Sequence, residues 1–501
     1  MKRRLMLFGI ACLFFCLTAC GETTTATTTT TQGTTSSTTN GGNTTTQSVA
    51  ENKINLRGED FIIISNAPET GDPRKEAYTG INKEEKIAAI DYVQEKYNCN
   101  VVYKGYASNA TWGTARDNWI IENSIAGTPA GHVFEISTSS VAILADNNAI
   151  LPLDDYIAKF NMDDKYLKEC RDYGSFLGQT YTYTDRIPFN DNIIFYNYDL
   201  LKELGYSDDE MPANLWNKGE WNWTKFKQMV KDLNGKFADS DKVALTGRTY
   251  NYAMQLINAN GGVMLSSDLE VGINSPESIE AIEYVAELYH IGDNDWKDDA
   301  PFEDTCDVHF KNGKSVFQDG QTWYALNGSK LLNVDFDLDI VPFPYNDKNG
   351  TVDYEEAMEY YANITVWGAA TYVISSGYDI SKIPAGYEDM FLHGELIFQI
   401  WNDLQYFSDL EDCKYSYIAT NYEPAYAHEA SVTAHESIMD AKHHRLDLLY
   451  SLGEVANHYA EGITAGIENG VKAGKSEIRA KTTELEARMK ASVDELFGTQ
   501  E

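Results

Sequence analysis

Cysteine is scarce in this chain and scattered. The seven among 501 residues are Cys12, Cys16, Cys20, Cys99, Cys170, Cys306 and Cys413, and no two form a C-x-x-C pair. That argues against the thiolate cluster of a zinc or dithiol redox site. Positive charge is short as well: 40 Lys and Arg stand against 76 Asp and Glu, a formal net charge of −36. A field of that sign disfavours nucleic acid and phosphate-rich ligands, so no nucleic-acid partner is expected. Its ordinary meaning is a well-solvated secreted surface. The apolar run at residues 5–18 stops short of the ~20 residues that span a bilayer. Catalytic signatures are missing too. No G-x-S-x-G elbow occurs. Residues 470–476 miss a phosphate loop by one position and follow no strand. His428-Glu429 and His435-Glu436 lack the second histidine of a zinc-protease helix. His443 and His444 are adjacent and cannot share a helix face. Asp347, Asn349, Gly350 and Glu356 fit part of a calcium loop, but Tyr345 holds its first ligand position. No metal and no cofactor are therefore expected. A carboxylate pair for glycoside hydrolysis is not excluded by spacing, because any chain this acidic supplies candidates.

What is present begins with Lys2, Arg3 and Arg4, then the apolar stretch, then Leu17-Thr18-Ala19-Cys20. This resembles a bacterial lipoprotein signal. It implies a signal peptide over 1–19 and a diacylated Cys20, holding the protein on the outer face of the cytoplasmic membrane of a Gram-positive bacterium. Two acyl chains anchor stably where one does not. Residues 22–48 are nearly all Thr, Ser, Gly, Asn and Gln. Such a stretch buries no core, so 20–50 reads as a lipidated cysteine plus a disordered linker. As a flexible tether it spans roughly 25–30 Å.

The remainder is long enough for two lobes. Phe61-Ile62-Ile63-Ile64, Val101-Val102-Tyr103 and His132-Val133-Phe134-Glu135-Ile136 are short apolar runs that read as buried strands. Helical spacing at Ile87, Ile90, Val93 and Tyr97, and again from Asn118 to Ala126, separates them. Strand, helix, strand, helix, strand implies an α/β lobe with a mostly parallel sheet. Ile193-Ile194-Phe195-Tyr196 is a further buried strand. Asp199 to Gly205 is a short helix stopped by glycine. Thr224 reads as the N-cap of a helix with Phe226, Met229, Val230 and Leu233 on one face. Ser275-Pro276 opens a helix striped by Ala281, Ile282, Val285 and Leu288. Asp337 and Asp339 fall on one face of an alternating strand. Long helical stretches are expected over 437–459 and 476–496, with Ile478, Leu485, Met489, Val493 and Leu496 buried in the second. Between them Gly462, Gly466, Gly470 and Gly474 recur every four residues, as either a small-residue helix face or a loop.

Several of these segments carry motifs in a telling order. Leu151-Pro152-Leu153-Asp154-Asp155-Tyr156 resembles L-x-P-L-D-D-Y. Tyr196, Asn197, Asp199, Leu200 and Gly205 match YN-x-D-L-x-x-x-x-G, and Glu220-Trp221-Asn222-Trp223-Thr224 follows. Asn274-Ser275-Pro276-Glu277, then residues 310–317 and 336–344, complete the series. Together they resemble the extracellular solute-binding proteins, family 1, that serve carbohydrate ABC importers. One position departs: His132 stands where the family's G-x-P-x-D-V turn has aspartate.

The resemblance implies a type II periplasmic-binding-protein-like α/β fold, each lobe a mostly parallel sheet flanked by helices and joined by hinge strands. It places 51–187 plus 368–400 in the N-terminal lobe and 188–367 plus 401–501 in the C-terminal lobe. It implies a monomer that captures a carbohydrate, an oligosaccharide, between its lobes and passes it to permease subunits. Hinges are expected near 186–192 and 364–370. A sugar needs aromatic platforms beside groups that make paired hydrogen bonds. Trp323 and Tyr324 are candidates from a G-x-W turn, Trp367 from the return crossing, and Trp401 from a later helix. Asn66 and Glu69 follow the first strand, and Glu135 and Ser137 end the third; ligands of open α/β sheets bind beyond strand carboxyl ends. Trp112 lies in the loop after the second strand, and Asn190 and Asp191 lie at the first crossing. Trp216, Trp221 and Trp223 are expected to pack the second lobe. The competing readings are a surface polysaccharide-degrading enzyme and a receptor for peptide or polyamine.

Overall fold

The computed structural model describes residues 54–78, 80, 82–160, 174–184, 192–292, 296–297, 308–326, 330–364, 370–377, 394–405, 422–456 and 462–498. Cys20, Asn190, Asp191 and Trp367 lie outside them, as do most residues of the two expected hinges.

The first lobe starts with Glu59–Ser65 (β1), Lys83–Tyr97 (α1), Cys99–Gly105 (β2), Thr114–Ile125 (α2), Val133–Ser137 (β3) and Val141–Asp146 (α3). β1 pairs in parallel with β2 and with β3. Period-two alternation then sorts the side chains. Phe61, Ile63, Val101 and Val133 point to one face, where Ile90, Val93 and Tyr97 of α1 cover them. Ile64 and Phe134 point to the other, against Ile120 of α2 and the buried face of α3. His132 explains how the missing aspartate is replaced. Its Nδ1 accepts the Ile62 backbone N–H at 2.9 Å, and its ring stacks on Phe61 at 5.0 Å. Cys99 is a buried free thiol, and burial pushes its pKa up to about 11. The segment 175–180 forms a two-residue-strand hairpin whose turn residues, Leu177 and Gly178, both have positive φ (48° and 75°).

The second lobe contains Asn192–Asn197 (β4), Trp223–Lys236 (α4), Val243–Thr246 (β5), Thr249–Ala259 (α5), Pro276–Tyr289 (α6), Trp296–Lys297 (β6), Ser315–Gln321 (β7) and Leu338–Val341 (β8). Its sheet runs β8-β4-β7-β5-β6. β5 is parallel to β7 and β6, whereas β4 is antiparallel to β7 and β8. The α4 cap differs from expectation. Asn222 rather than Thr224 precedes the helix, and its side chain accepts the Lys225 N–H at 2.9 Å. Ser275 caps α6 through the Ser278 N–H at 3.2 Å. Trp216, Trp221 and Trp223 are buried, and each indole N–H has an acceptor: Ser437 Oγ, the Pro342 carbonyl and the Pro344 carbonyl. Asp339 is not on an acidic outer face. It is fully buried, and its carboxylate meets His428 Nδ1 at 2.7 Å.

The chain then returns. Ala370–Ile374 (β9) pairs antiparallel with β3, giving the first sheet the order β9-β3-β1-β2. Glu395–Leu404 (α7) lies beside α1 over the same core, where Trp401 and Leu404 are buried past the boundary expected at 400. Among the described residues, no long helix covers 437–456, and 457–459 lie outside them. Among the described residues a helix ends at Ser437, and 3-10 turns follow at Ala441–His443 and Leu449–Ala456. Gly453, at φ 60° and ψ −129°, breaks the second turn. Ile463–Ala473 (α8) and Ile478–Phe497 (α9) finish the chain. Of the four-residue glycine repeat, Gly466 and Gly470 make a small face of α8 and Gly462 and Gly474 cap its ends: a Cβ on Gly466 would stand 2.5 Å from Leu485 Cδ2 of α9. No described helix is long and apolar enough to cross a membrane.

Candidate functional site

The sheet registers fix which edges face each other. The return strand begins at Ala370 opposite Ser137, the carboxyl end of β3. The outgoing strand begins at Asn192 opposite Gln321, the carboxyl end of β7. Both crossings thus enter their sheets at carboxyl edges, so these edges flank the gap between lobes. The Asn363 side chain ties the crossings together: its Oδ1 accepts the Asn192 N–H at 3.2 Å and its Nδ2 donates to the Asn192 carbonyl at 2.9 Å. Nearby, Ser451 of the second lobe donates its hydroxyl to the Ser139 carbonyl of the first.

On the first lobe a polar and aromatic cluster covers this edge. Glu135 Oε2 accepts the Ser65 hydroxyl at 2.6 Å and the Asn66 N–H at 2.9 Å, while its carbonyl accepts the Tyr106 hydroxyl at 2.7 Å. Arg116 donates to Asn66 Oδ1. Its guanidinium lies 4.0 Å from the Tyr106 ring centroid and 4.8 Å from that of Trp112. Trp112 is 50 % exposed, so one indole face is held by a cation while much of its surface meets solvent. Burial lowers the Arg116 pKa and pushes neighbouring Asp117 up to about 6.

Behind Glu135, on the face covered by α1 and α7, lies a cavity of about 190 Å³. Tyr78, Tyr103, Tyr372 and Trp401 contribute aromatic surface to it, and Lys86 and Gln405 polar groups.

On the second lobe, Trp323 and Tyr324 follow β7 and are half-buried. They meet edge-on at 4.7 Å, Trp323 donates its indole N–H to Gln321, and Tyr324 lies parallel to Phe195. Below them Asp319 is buried. Asn251 donates to its Oδ2 at 2.9 Å, yet desolvation outweighs the hydrogen bonds and pushes its pKa up to about 7. Gly247, at φ 103°, is needed there, since a Cβ would overlap Asp319 Oδ1. Arg248 and Glu468 form an ion pair at 3.1 Å with little exposure.

Of the expected residues, Asn66, Trp112 and Glu135 come together, and Trp323 and Tyr324 form a second group across the gap. Ser137 is buried, and its hydroxyl accepts the Ser139 N–H, capping the turn after β3. Glu69 is exposed and pairs with Lys75 at 3.3 Å. Trp401 is a core residue that donates to the Tyr183 carbonyl at 2.6 Å and also lines the cavity. Sequence reading missed Arg116 and Gln321. The signal for Arg116 was its place four residues after Trp112, in the first turn of a helix that begins at Thr114 rather than Asn118.

Two α/β lobes, with adjacent crossings at Asn192 and Asn363 and polar and aromatic groups on both facing edges, define a two-lobed binding protein. The family model for bacterial extracellular solute-binding proteins matches residues 88–386, and the chain belongs to that family. A search of curated proteins finds no match. Among solved structures, a cyclic alpha-maltosyl-1,6-maltose binding protein from Arthrobacter globiformis has TM-score 0.57 at 14% identity, covering 88% of this chain and 99% of its own. The sugar-binding protein MalE from Xanthomonas citri has TM-score 0.56 at 15% identity, covering 87% and 97%. An ABC substrate-binding protein from Listeria monocytogenes, solved with cycloalternan, has TM-score 0.53 at 16% identity, covering 88% and 100%. At such identities the likeness is one of fold.

Proposed function

We propose that this chain is the capture component of a carbohydrate ABC importer, held outside the cytoplasmic membrane by lipid on Cys20 and taking an oligosaccharide between its lobes. The observation that carries the reading is the Trp112 platform. A half-exposed indole braced by Arg116, beside Asn66 and Glu135, offers a flat apolar surface next to hydrogen-bonding groups. A pyranose, with its C–H face and hydroxyl rim, matches that combination. Trp323 and Tyr324 supply aromatic surface from the other lobe. Asn190, Asp191 and Trp367 belong to the crossings and are proposed to complete the site. Closure on ligand shifts a hinge population that the permease subunits read. The protein acts as a monomer and leaves the sugar unchanged.

Isothermal titration of the purified chain against a glycan panel tests this. Heat is expected with at least one oligosaccharide and none with peptides or polyamines. The reverse pattern overturns the carbohydrate reading. New reducing ends appearing on incubation would replace the binding role with a hydrolytic one.

A further inference from the structure

The cavity behind Glu135 is separate from the Trp112 platform but linked to it through Glu135 and Asn66. Glu135 and Ser65 line the cavity, and Glu135 Oε2 also holds Asn66, which accepts from Arg116 on the platform side. With Ser65 and Glu135 in its wall, the cavity lies at the same carboxyl edge, on the face of the first sheet that α1 and α7 cover. Its volume of about 190 Å³ is well below the ~300–1,000 Å³ of sites that enclose a drug-sized ligand. It suits a single ring. Tyr103 and Tyr372 provide aromatic wall, Thr184 and Gln405 neutral polar groups, and Lys86 and Glu135 one charge of each sign. Opposed charges leave no net preference for an anion or a cation.

We propose that this cavity receives one terminal ring of a neutral glycan whose next units run over Trp112, so that the ligand is recognised by an end. This rests on the carbohydrate reading and adds which part of the molecule is enclosed. It predicts selection for glycans with an unsubstituted terminus over those whose ends are blocked.

Two filling variants approach the cavity from different walls, Thr70→Trp from the short helix Pro68–Gly71 after β1 and Gln405→Trp from the end of α7. The full chain and both variants are titrated with linear gluco-, manno- and xylo-oligosaccharides of increasing length, and melting temperatures are recorded. For each glycan bound by the wild type, both variants are expected to raise Kd about 30-fold or more, the scale of a lost central contact, without a fall in melting temperature. Tagging one end of the bound glycan with a bulky aromatic amine should abolish binding, and tagging the other should not. If the wild type binds a glycan and both variants bind it equally well, or neither tag matters, the end-recognition proposal is overturned and the carbohydrate reading stands. If the wild type binds no glycan, both fall together.

Discussion

Single side chains decide the chemistry of the edges. Trp112 is the sharpest case, because its exposure separates binding from folding. Trp112→Ala should weaken oligosaccharide binding by about 10- to 100-fold, as loss of a stacking anchor does, while calorimetric unfolding stays close to wild type. Asp319 gives a pH test. Its folded pKa is raised from 3.8 to about 7, so the folded state keeps a proton that the unfolded chain releases. The stability tied to that proton is present at low pH and lost as pH rises through the folded value. Asp319→Asn removes the dependence. Its melting temperature relative to wild type should therefore climb between roughly pH 4 and pH 7 and level off above; a constant difference would show that Asp319 titrates normally. Neither behaviour was legible in the sequence. Trp112 is one of nine tryptophans, and only the helix that begins at Thr114, bringing Arg116 under the ring, distinguishes it. Asp319 sits in a run of polar letters that gives no hint of burial.

Helices and strands were far easier to read, and the reasons are local. β1 to β4 announce themselves as short apolar runs, and α6 as Ser-Pro followed by a 3.6-residue stripe. Where two residues compete for a cap, geometry decides. Asn222 has extended backbone and accepts from Lys225, whereas Thr224 already lies inside α4. Asn222→Ala should cost about 1 kcal/mol in urea unfolding and Thr224→Ala much less; equal losses would reassign the cap. The stretch after Ser437 misled because its apolar residues are helically spaced, yet tertiary bonds override the pattern. Buried Asp447 accepts the backbone N–H groups of Met264, Leu265 and Leu449, which pins the chain in a non-helical path. The glycine repeat was ambiguous for the opposite reason: glycine disfavours a helix, and only α9 packing closely explains it. Gly466→Val should destabilise by about 1–3 kcal/mol, as overpacking against a buried side chain does. An unchanged unfolding midpoint would mean that α8 and α9 have room between them.

At the scale of the whole molecule, two sheets are stitched at their carboxyl edges by neighbouring crossings, and motif order made that arrangement legible without any single decisive residue. Ligand should shrink the radius of gyration in small-angle scattering; superimposable curves with and without saturating glycan would rule out closure. Phe497, near the end of α9, also packs its ring on Phe176 of the first-lobe hairpin at 5.5 Å. The return of the chain has a cost in assembly. The first sheet lacks its β9 edge, and its core lacks the α7 cover, until synthesis has passed Leu404, and the second lobe waits for α8 and α9. A ribosome therefore makes about four-fifths of the polypeptide before the first half is complete, and nearly all of it before the second is. No single cut in the gene yields one lobe intact, and a nascent chain of this design stays unfinished, and so threadable through a secretion channel, until late in translation.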